Sequence, residues 1–525
     1  MKKLSVIMLV LVMVSAVFVN AFADDDFYGG EITYIIALDN FGILDPHINS
    51  TTQNNYVFDA VFDTLITQDD GKFYPGLAKA WSHNDDFTEW TLELRDDVTF
   101  HDGSKFNAEV VKYNFERMIN PELKSKQAAG LISSYDYTEI VDDYKVIVHF
   151  TEPFALFEVA MISDALSMVS MEWCEEHGLN SMVDHMVGTG PFMFESMDGT
   201  NELVVVKNPD YNWAPEFFDH QGPAYLDKVT FRWVNETEAR MGALEVGEAQ
   251  IVDETPPNRV EDLQDAGFNI IIWNRTGFPR NGVVNVSIFP TDDINVRKAM
   301  IYGFNYEKMV KTITLGVFPA AHNIMSPGTM FYDENCELYE YNPEKAVELL
   351  EASGWTEFNS DGYRVKDGKV LEALYYVQPK DQSAMIAEAF QNDMKQIGIK
   401  IDAQIISGSL HYSISDADSP CNISDLGAGA PDPGLLLKTW FHSSGNLYSH
   451  FTDEKTDALI EAGLRTNDIE ERQKVYSELQ CYLMENAVEI PMSVTVRPWA
   501  LSPDIDGFKA DMYPIPHLYD VHYVK

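Results

Sequence analysis

Two hydrophobic periodicities alternate along the whole chain, and no low-complexity linker separates them. Trp90, Leu92 and Leu94 alternate with Thr91, Glu93 and Arg95, the pattern of a strand with one buried face. The sets Tyr144, Val146, Val148, Phe150 and Val229, Phe231, Trp233 repeat it. Elsewhere the period is helical. Ile386, Phe390, Met394 and Ile397 form one stripe, ended by Gly398 before the strand-like Ile399 and Ile401. Asn342 is placed to cap a helix with Pro343 at its first position, Ala346, Leu349 and Leu350 on its buried face and Gly354 as its stop. Asp468 with Glu471 resembles a capping box ahead of Val475, Tyr476, Leu479 and Leu483. Asp96-Asp97 predicts a turn, with Val98 and Phe100 as the returning strand of a hairpin. The class is mixed α/β. No 20–50-residue repeat points to a solenoid. A chain of 525 residues has room for two or three lobes, and without a tether these should be packed together and interleaved.

The N-terminus reads as an export signal. Lys2 and Lys3 form a positive region, residues 4–19 are apolar apart from Ser5 and Ser15, and Ala21-Phe22-Ala23 is a small-x-small cleavage pattern before Asp24-Asp25-Asp26. The first cysteine is Cys174, so no lipid-anchoring cysteine stands near that cleavage point. The expectation is a free periplasmic or secreted protein. Cys174, Cys336, Cys421 and Cys481 would then meet an oxidising compartment, where they can pair in three ways or stay as buried thiols.

Charge narrows the partners. Asp and Glu number 83 against 37 Lys and Arg, a formal net of −46. Such a surface repels phosphate, so no nucleic-acid partner is expected. Catalytic signatures are missing: there is no His-Glu-x-x-His, no phosphate loop and no Gly-x-Ser-x-Gly elbow. Gly188 and Gly190 lack the third glycine of a dinucleotide fingerprint. His442 and His450 share a loop-like stretch and are read as polar contacts rather than metal ligands. No cofactor or metal is expected. Paired carboxylates of a glycosidase stay open, because many acids offer accidental pairs.

A series of spaced blocks carries a resemblance. Leu44-Asp45-Pro46-His47, Phe62-Asp63-Thr64-Leu65, Pro75-Gly76-Leu77-Ala78, Phe100-His101-Asp102-Gly103, Gly188-Thr189-Gly190-Pro191, Asn208-Pro209-Asp210-Tyr211, Val296-Arg297-Lys298-Ala299 and Pro431-Asp432-Pro433 follow in order from about residue 31 onwards. Together they resemble the extracellular solute-binding proteins of the peptide/nickel family (family 5). Each block also has a local reading. Asp102-Gly103 suits a tight turn, Gly188 to Pro191 a constrained crossover between lobes, and Arg297 a structural ion pair near Asp293.

The resemblance implies a two-lobed periplasmic-binding-protein-like α/β fold of type II, in the large class with an extra inserted subdomain. Its N-terminal lobe would comprise residues 24–278 and 497–525, with the insertion at about 66–187, and its second lobe 279–496. The protein would be a monomer that closes on a solute and delivers it, unchanged, to the permease subunits of an ABC importer. A chemosensory role is possible on the same fold. Peptide-binding members hold an ammonium with an aspartate shortly before the Asp-Pro, where this chain has Gly429. The carboxylate-gripping arginine of dipeptide binders would fall near Pro379-Lys380, and nickel-type members carry a histidine where this chain has Gly434. Both clamps are absent, which favours a neutral or differently charged ligand.

The candidate ligand-binding residues are Gln53, Asn54 and Asn55 on the first lobe and Arg280, Lys380, the Gly429-Ala430 backbone and Trp440 on the second. The amides offer donors and acceptors, and the indole is suited to stacking. The alternative is that the amides cap a helix, Arg280 sits on the surface and Trp440 packs in the core. The expected function is capture of an oligopeptide or other small polar solute. A nickel-chelate or sugar binder of the same family, or an exported glycoside hydrolase, is the alternative.

Overall fold

The computed structural model describes residues 27–525 other than 70, 200, 380, 431 and 514, with backbone alone at 381, 408 and 409. The export signal and Lys380 therefore lie outside the described residues.

Two mixed sheets organise the molecule. The larger has seven strands in the order Asn269–Asn274, Val496–Leu501, Ile251–Val252, Glu31–Ile36, Lys228–Trp233, Glu202–Lys207 and Phe192–Asp198. Glu31–Ile36 runs parallel to both its neighbours, and the flanking pairs are antiparallel. The second sheet has five strands in the order Lys400–Ile405, Glu372–Val377, Ile423–Gly429, Gly277–Val284 and Glu489–Ser493. The chain passes from the first sheet to the second through Arg275-Thr276, and returns through Val494-Thr495. A separate four-stranded antiparallel sheet, in the order Ala78–His83, Glu89–Leu94, Lys145–Phe150 and Tyr135–Asp142, is inserted between two strands of the larger sheet in sequence.

The periodicities predict these elements. Trp90, Leu92 and Leu94 are fully buried on one face of their strand, as are Val146 and Val148 on theirs. Asn342 caps Pro343–Ala352 by accepting from Lys345 N, and Asp468 caps Ile469–Glu485 by accepting from Glu471 N. Gly354 and Gly398 both adopt positive φ where their helices end. Each sheet has its own large core: Tyr34, Tyr56, Phe58 and Trp499 belong to one, and Phe278, Tyr375, Phe390 and Tyr476 to the other.

Three expectations are corrected. Glu89–Leu94 pairs with Ala78–His83 and Lys145–Phe150, so Val98 and Phe100 are not the return of a hairpin. The reason is that Leu92 and Trp90 need two long partner strands to cover the ladder, and a three-residue return is too short. Gly188 to Pro191 is no crossing between the two sheets. It packs on the end of the helix Thr52–Val61, with Gly190 N donating to Val61 O at 2.9 Å, and a β-carbon on Gly188 would come 2.1 Å from that oxygen. Among the described residues Arg297 forms no ion pair. Its guanidinium donates to the carbonyls of Thr291, Asp292, Asn486 and Ala487, tying a helix start to a helix end, where carbonyls are left unpaired.

The sequence blocks turn out to be joints. Asp63 accepts from Thr189 Oγ1 at 2.8 Å, Trp213 Nε1 at 3.0 Å and Tyr211 Oη at 3.3 Å, so three distant blocks meet on one half-buried carboxylate. His101 Nε2 lies 3.0 Å from Gly190 O, and Gly103 closes the expected turn at φ +85°. Asp45 holds Arg117 with contacts of 2.5 and 3.2 Å, both side chains being fully buried. Cys336 and Cys481 form a disulfide across 145 residues, while Cys174 and Cys421 are buried thiols.

Candidate functional site

Where the two sheets approach beside the crossings, two polar recesses open. The first has a volume of about 270 Å³ and is walled by Glu254, Thr255, Arg497 and Pro498 from the side of the larger sheet and by Arg280, Gln382 and Ser493 from the other, with Arg275 from the crossing between them. The second has a volume of about 260 Å³ and lies between Asn55, Gln127, Asp164, Asp511 and Tyr513 on one side and Gly429, Ala430 and Leu436 on the other. Arg275 and Gly429 touch, so they form the partition between the recesses.

The predicted residues divide. Asn55, Gly429 and Ala430 line the second recess, and Arg280 lines the first. Asn55 Oδ1 accepts from Ser50 Oγ at 2.9 Å. Arg280 is not a free surface arginine: its Nη1 donates to Asp425 at 2.6 Å and to Ser383 at 2.7 Å. Asn54 is buried away from both recesses, donating to Phe41 O at 2.8 Å and accepting from Thr51 Oγ1 at 2.6 Å, which fixes the start of its helix. Gln53 is half-buried on that helix and lines neither recess. Trp440 is a core residue, edge-on to Phe278 at 4.9 Å and Tyr448 at 5.2 Å. Its helix, Gly434–Phe441, is almost wholly apolar and turns this side inward.

Arg275, Arg497, Thr255 and Asp164 are site residues that the sequence reading passed over. Arg275 and Arg497 flank the two crossings, and no local motif marks them. The environment sets their charges. Burial, with repulsion from Arg497 and Arg280, pulls the Arg275 guanidinium down to about 10, so it stays cationic at neutral pH. Arg497 is also desolvated by burial, but Tyr56, Glu254 and Asp253 outweigh that and hold its proton more tightly. Burial and the neighbouring Glu254 push Asp253 up to about 7. On the other side of the partition, burial and the nearby Asp59 and Asp511 raise Asp164 well above the usual carboxylate range.

The motif acid after the partition is structural. Asp432 takes a bidentate grip from Arg472, at 2.6 and 2.8 Å. Gly434 stands where a β-carbon would come 2.8 Å from Tyr476 Oη, so this position has no room for a metal-binding side chain. Among the described residues no group of three or more His, Cys, Asp or Glu is arranged to hold a metal ion. His442 contacts Ser444 and His450 contacts Ile414 O, so the two histidines serve separate loops.

Two sheets joined by two crossings, with polar recesses walled from both sides, define a hinged solute receptor. Residues 72–448 match the model of the bacterial extracellular solute-binding proteins, family 5 Middle, and the chain belongs to that family. It is 27% identical over 490 residues to the glutathione-binding protein GsiB of Salmonella typhi, covering 89% of this chain and 90% of that one. Among solved structures it is similar to NikA from Brucella suis in complex with Fe(III)-EDTA, with TM-score 0.84 and 23% identity over 94% of this chain and 100% of that one. It is also similar to DppA from Helicobacter pylori in complex with the peptide STSA, with TM-score 0.75 and 22% identity over 95% and 99% of the two chains. The protein is an extracellular solute-binding protein of the ABC-importer type and not an enzyme, so the glycosidase alternative falls away.

Proposed function

We propose that the protein captures a short peptide or other small polar solute in the paired recesses and presents it, unchanged, to the permease of an ABC importer. The observation that carries this reading is that each recess takes walls from both sheets, so hinge motion at the two crossings opens and closes both at once. The recesses together have the scale of small-molecule sites, about 300–1,000 Å³. The lobes in this reading are residues 24–278 with 497–525, including an inserted subdomain at about 66–187, and residues 279–496. A monomer exported to the periplasm by the N-terminal signal completes the picture. Asn55, Arg280, Gly429 and Ala430 are the predicted contacts that remain in the site, joined by Arg275, Arg497 and Thr255. GsiB, named for glutathione, and DppA, solved with a peptide, support a peptide-like cargo.

The test is mass spectrometry of the solute released from protein purified from its periplasmic expression, followed by rebinding to refolded protein. A stoichiometric solute that raises the melting temperature and is recovered intact supports the proposal. Chemical conversion of the solute, or failure of any short peptide or small polar solute to raise the melting temperature, would end it.

A further inference from the structure

We propose that Arg275, in the first crossing, is the anchor for a carboxylate group of the bound solute. The proposal rests on the solute-binding reading above and names the chemistry of one end of the cargo.

Three arginines border the first recess, which is unexpected in a chain of net charge −46. Two are already compensated. Arg280 pairs with Asp425, and Arg497 pairs with Glu254. Arg275 has no carboxylate within 4.0 Å among the described residues. Its guanidinium instead approaches the strand Ile423–Gly429 at Gly429, where a β-carbon would come 2.5 Å from Nε and 2.9 Å from one Nη. A partly desolvated cation beside two others is held at an electrostatic cost, and an anion in the recess removes it.

Independent polar groups point to the same place. Thr255 lines this recess and is only 1% exposed, yet its Oγ1 has no hydrogen-bond partner among the described residues. Arg497 Nε and Gln382 Nε2, from two further wall residues, are likewise buried without partners. Buried polar atoms normally have partners, and these three that lack one belong to walls of the same recess. A single free guanidinium fork matches the two oxygens of a carboxylate. One uncompensated charge suits a monoanion better than a phosphate dianion. The arginine predicted by resemblance near residue 380 is thus replaced by one about a hundred positions earlier, reaching the cleft from the hinge.

The experiment uses the full mature protein, stripped of cargo by unfolding and refolding. It is titrated with an equimolar mixture of tripeptides bearing free C-termini, and with the same mixture as C-terminal amides. Melting shifts and calorimetric affinities are the readouts. The free acids should bind at least about tenfold tighter than the amides. Arg275→Gln should bind acids as weakly as amides, and Arg275→Lys should keep part of the preference, since it keeps the charge and loses the fork. Should Arg275→Gln fail to refold, a reduced acid-to-amide ratio in Arg275→Lys carries the test. Equal binding of acids and amides, or an unchanged preference in either variant, overturns the anchor while leaving solute binding intact. Absence of binding to both mixtures overturns the anchor and the peptide reading together.

Discussion

Gly429 and Arg275 compete for one volume: a β-carbon on Gly429 would sit 2.5 Å from Arg275 Nε. The missing side chain is what lets the guanidinium approach the end of the strand Ile423–Gly429, between the two recesses. Gly429→Ala should therefore swing the arginine out of place without moving backbone, because the contact is the far end of a flexible side chain. Stability of the cargo-free protein should change by less than about 1 kcal/mol. Solute affinity should fall by roughly tenfold, measured by titration calorimetry.

Asp45 tests whether the family blocks are joints. It is the only carboxylate held by Arg117 among the described residues, and both side chains are sealed from water. Asp45→Asn leaves a buried cation without its counter-charge, which should cost about 3–5 kcal/mol. The melting temperature should drop sharply. Affinity of the surviving folded fraction for solute should be unchanged, since neither residue borders a recess.

The disulfide closes a span of 145 residues, linking the turn Glu334–Cys336 to the helix Ile469–Glu485. Closing so long a loop restricts the unfolded chain. Replacing both cysteines by serine should lower stability by about 2–5 kcal/mol. Thermal scans of the oxidised protein, the reduced protein and the double variant should place the last two together.

His517 supplies a pH dependence. Burial works against its charge, but Asp59, at 2.9 Å, and the more distant Asp511 and Asp164 lift the imidazole to about 9. A folded value above the unfolded one, roughly 6.5, means that protonation stabilises the fold. That contribution is complete below about pH 6.5 and is lost as the pH rises through 9. His517→Gln should accordingly be destabilised relative to the parent at pH 6, with the gap narrowing to its smallest at pH 10. A gap that widens with pH would refute this pairing.

Local pattern was readable because it depends only on neighbours in the chain. The strand at Trp90, the capped helices at Asn342 and Asp468 and the turn at Gly103 all follow from side chains within a few residues. The same local logic misassigned Val98 and Phe100, whose pattern was right for a strand but whose segment had no ladder to join. It also read Gly188-Thr189-Gly190 as a lobe crossing, when the glycines serve a close approach to Val61. Of the proposed contacts, Asn54 and Trp440 proved structural because a buried amide and an indole serve packing as readily as binding.

Order and spacing of the blocks, the alternation of strand and helix, and the sign of the overall charge were properties of the chain itself. They determined a mixed α/β receptor of the family 5 kind. Only tertiary structure decided which charges line the recesses. Arg275 and Gly429 stand 154 positions apart in numbering, on segments that antiparallel pairing between Gly277–Val284 and Ile423–Gly429 brings together. Whether a charge is spent on a neighbour, as Arg280 is on Asp425, or left over, as on Arg275, depends on distances of a few ångströms between distant residues. Coulomb energy is set by those distances and by burial, and neither is written in local sequence.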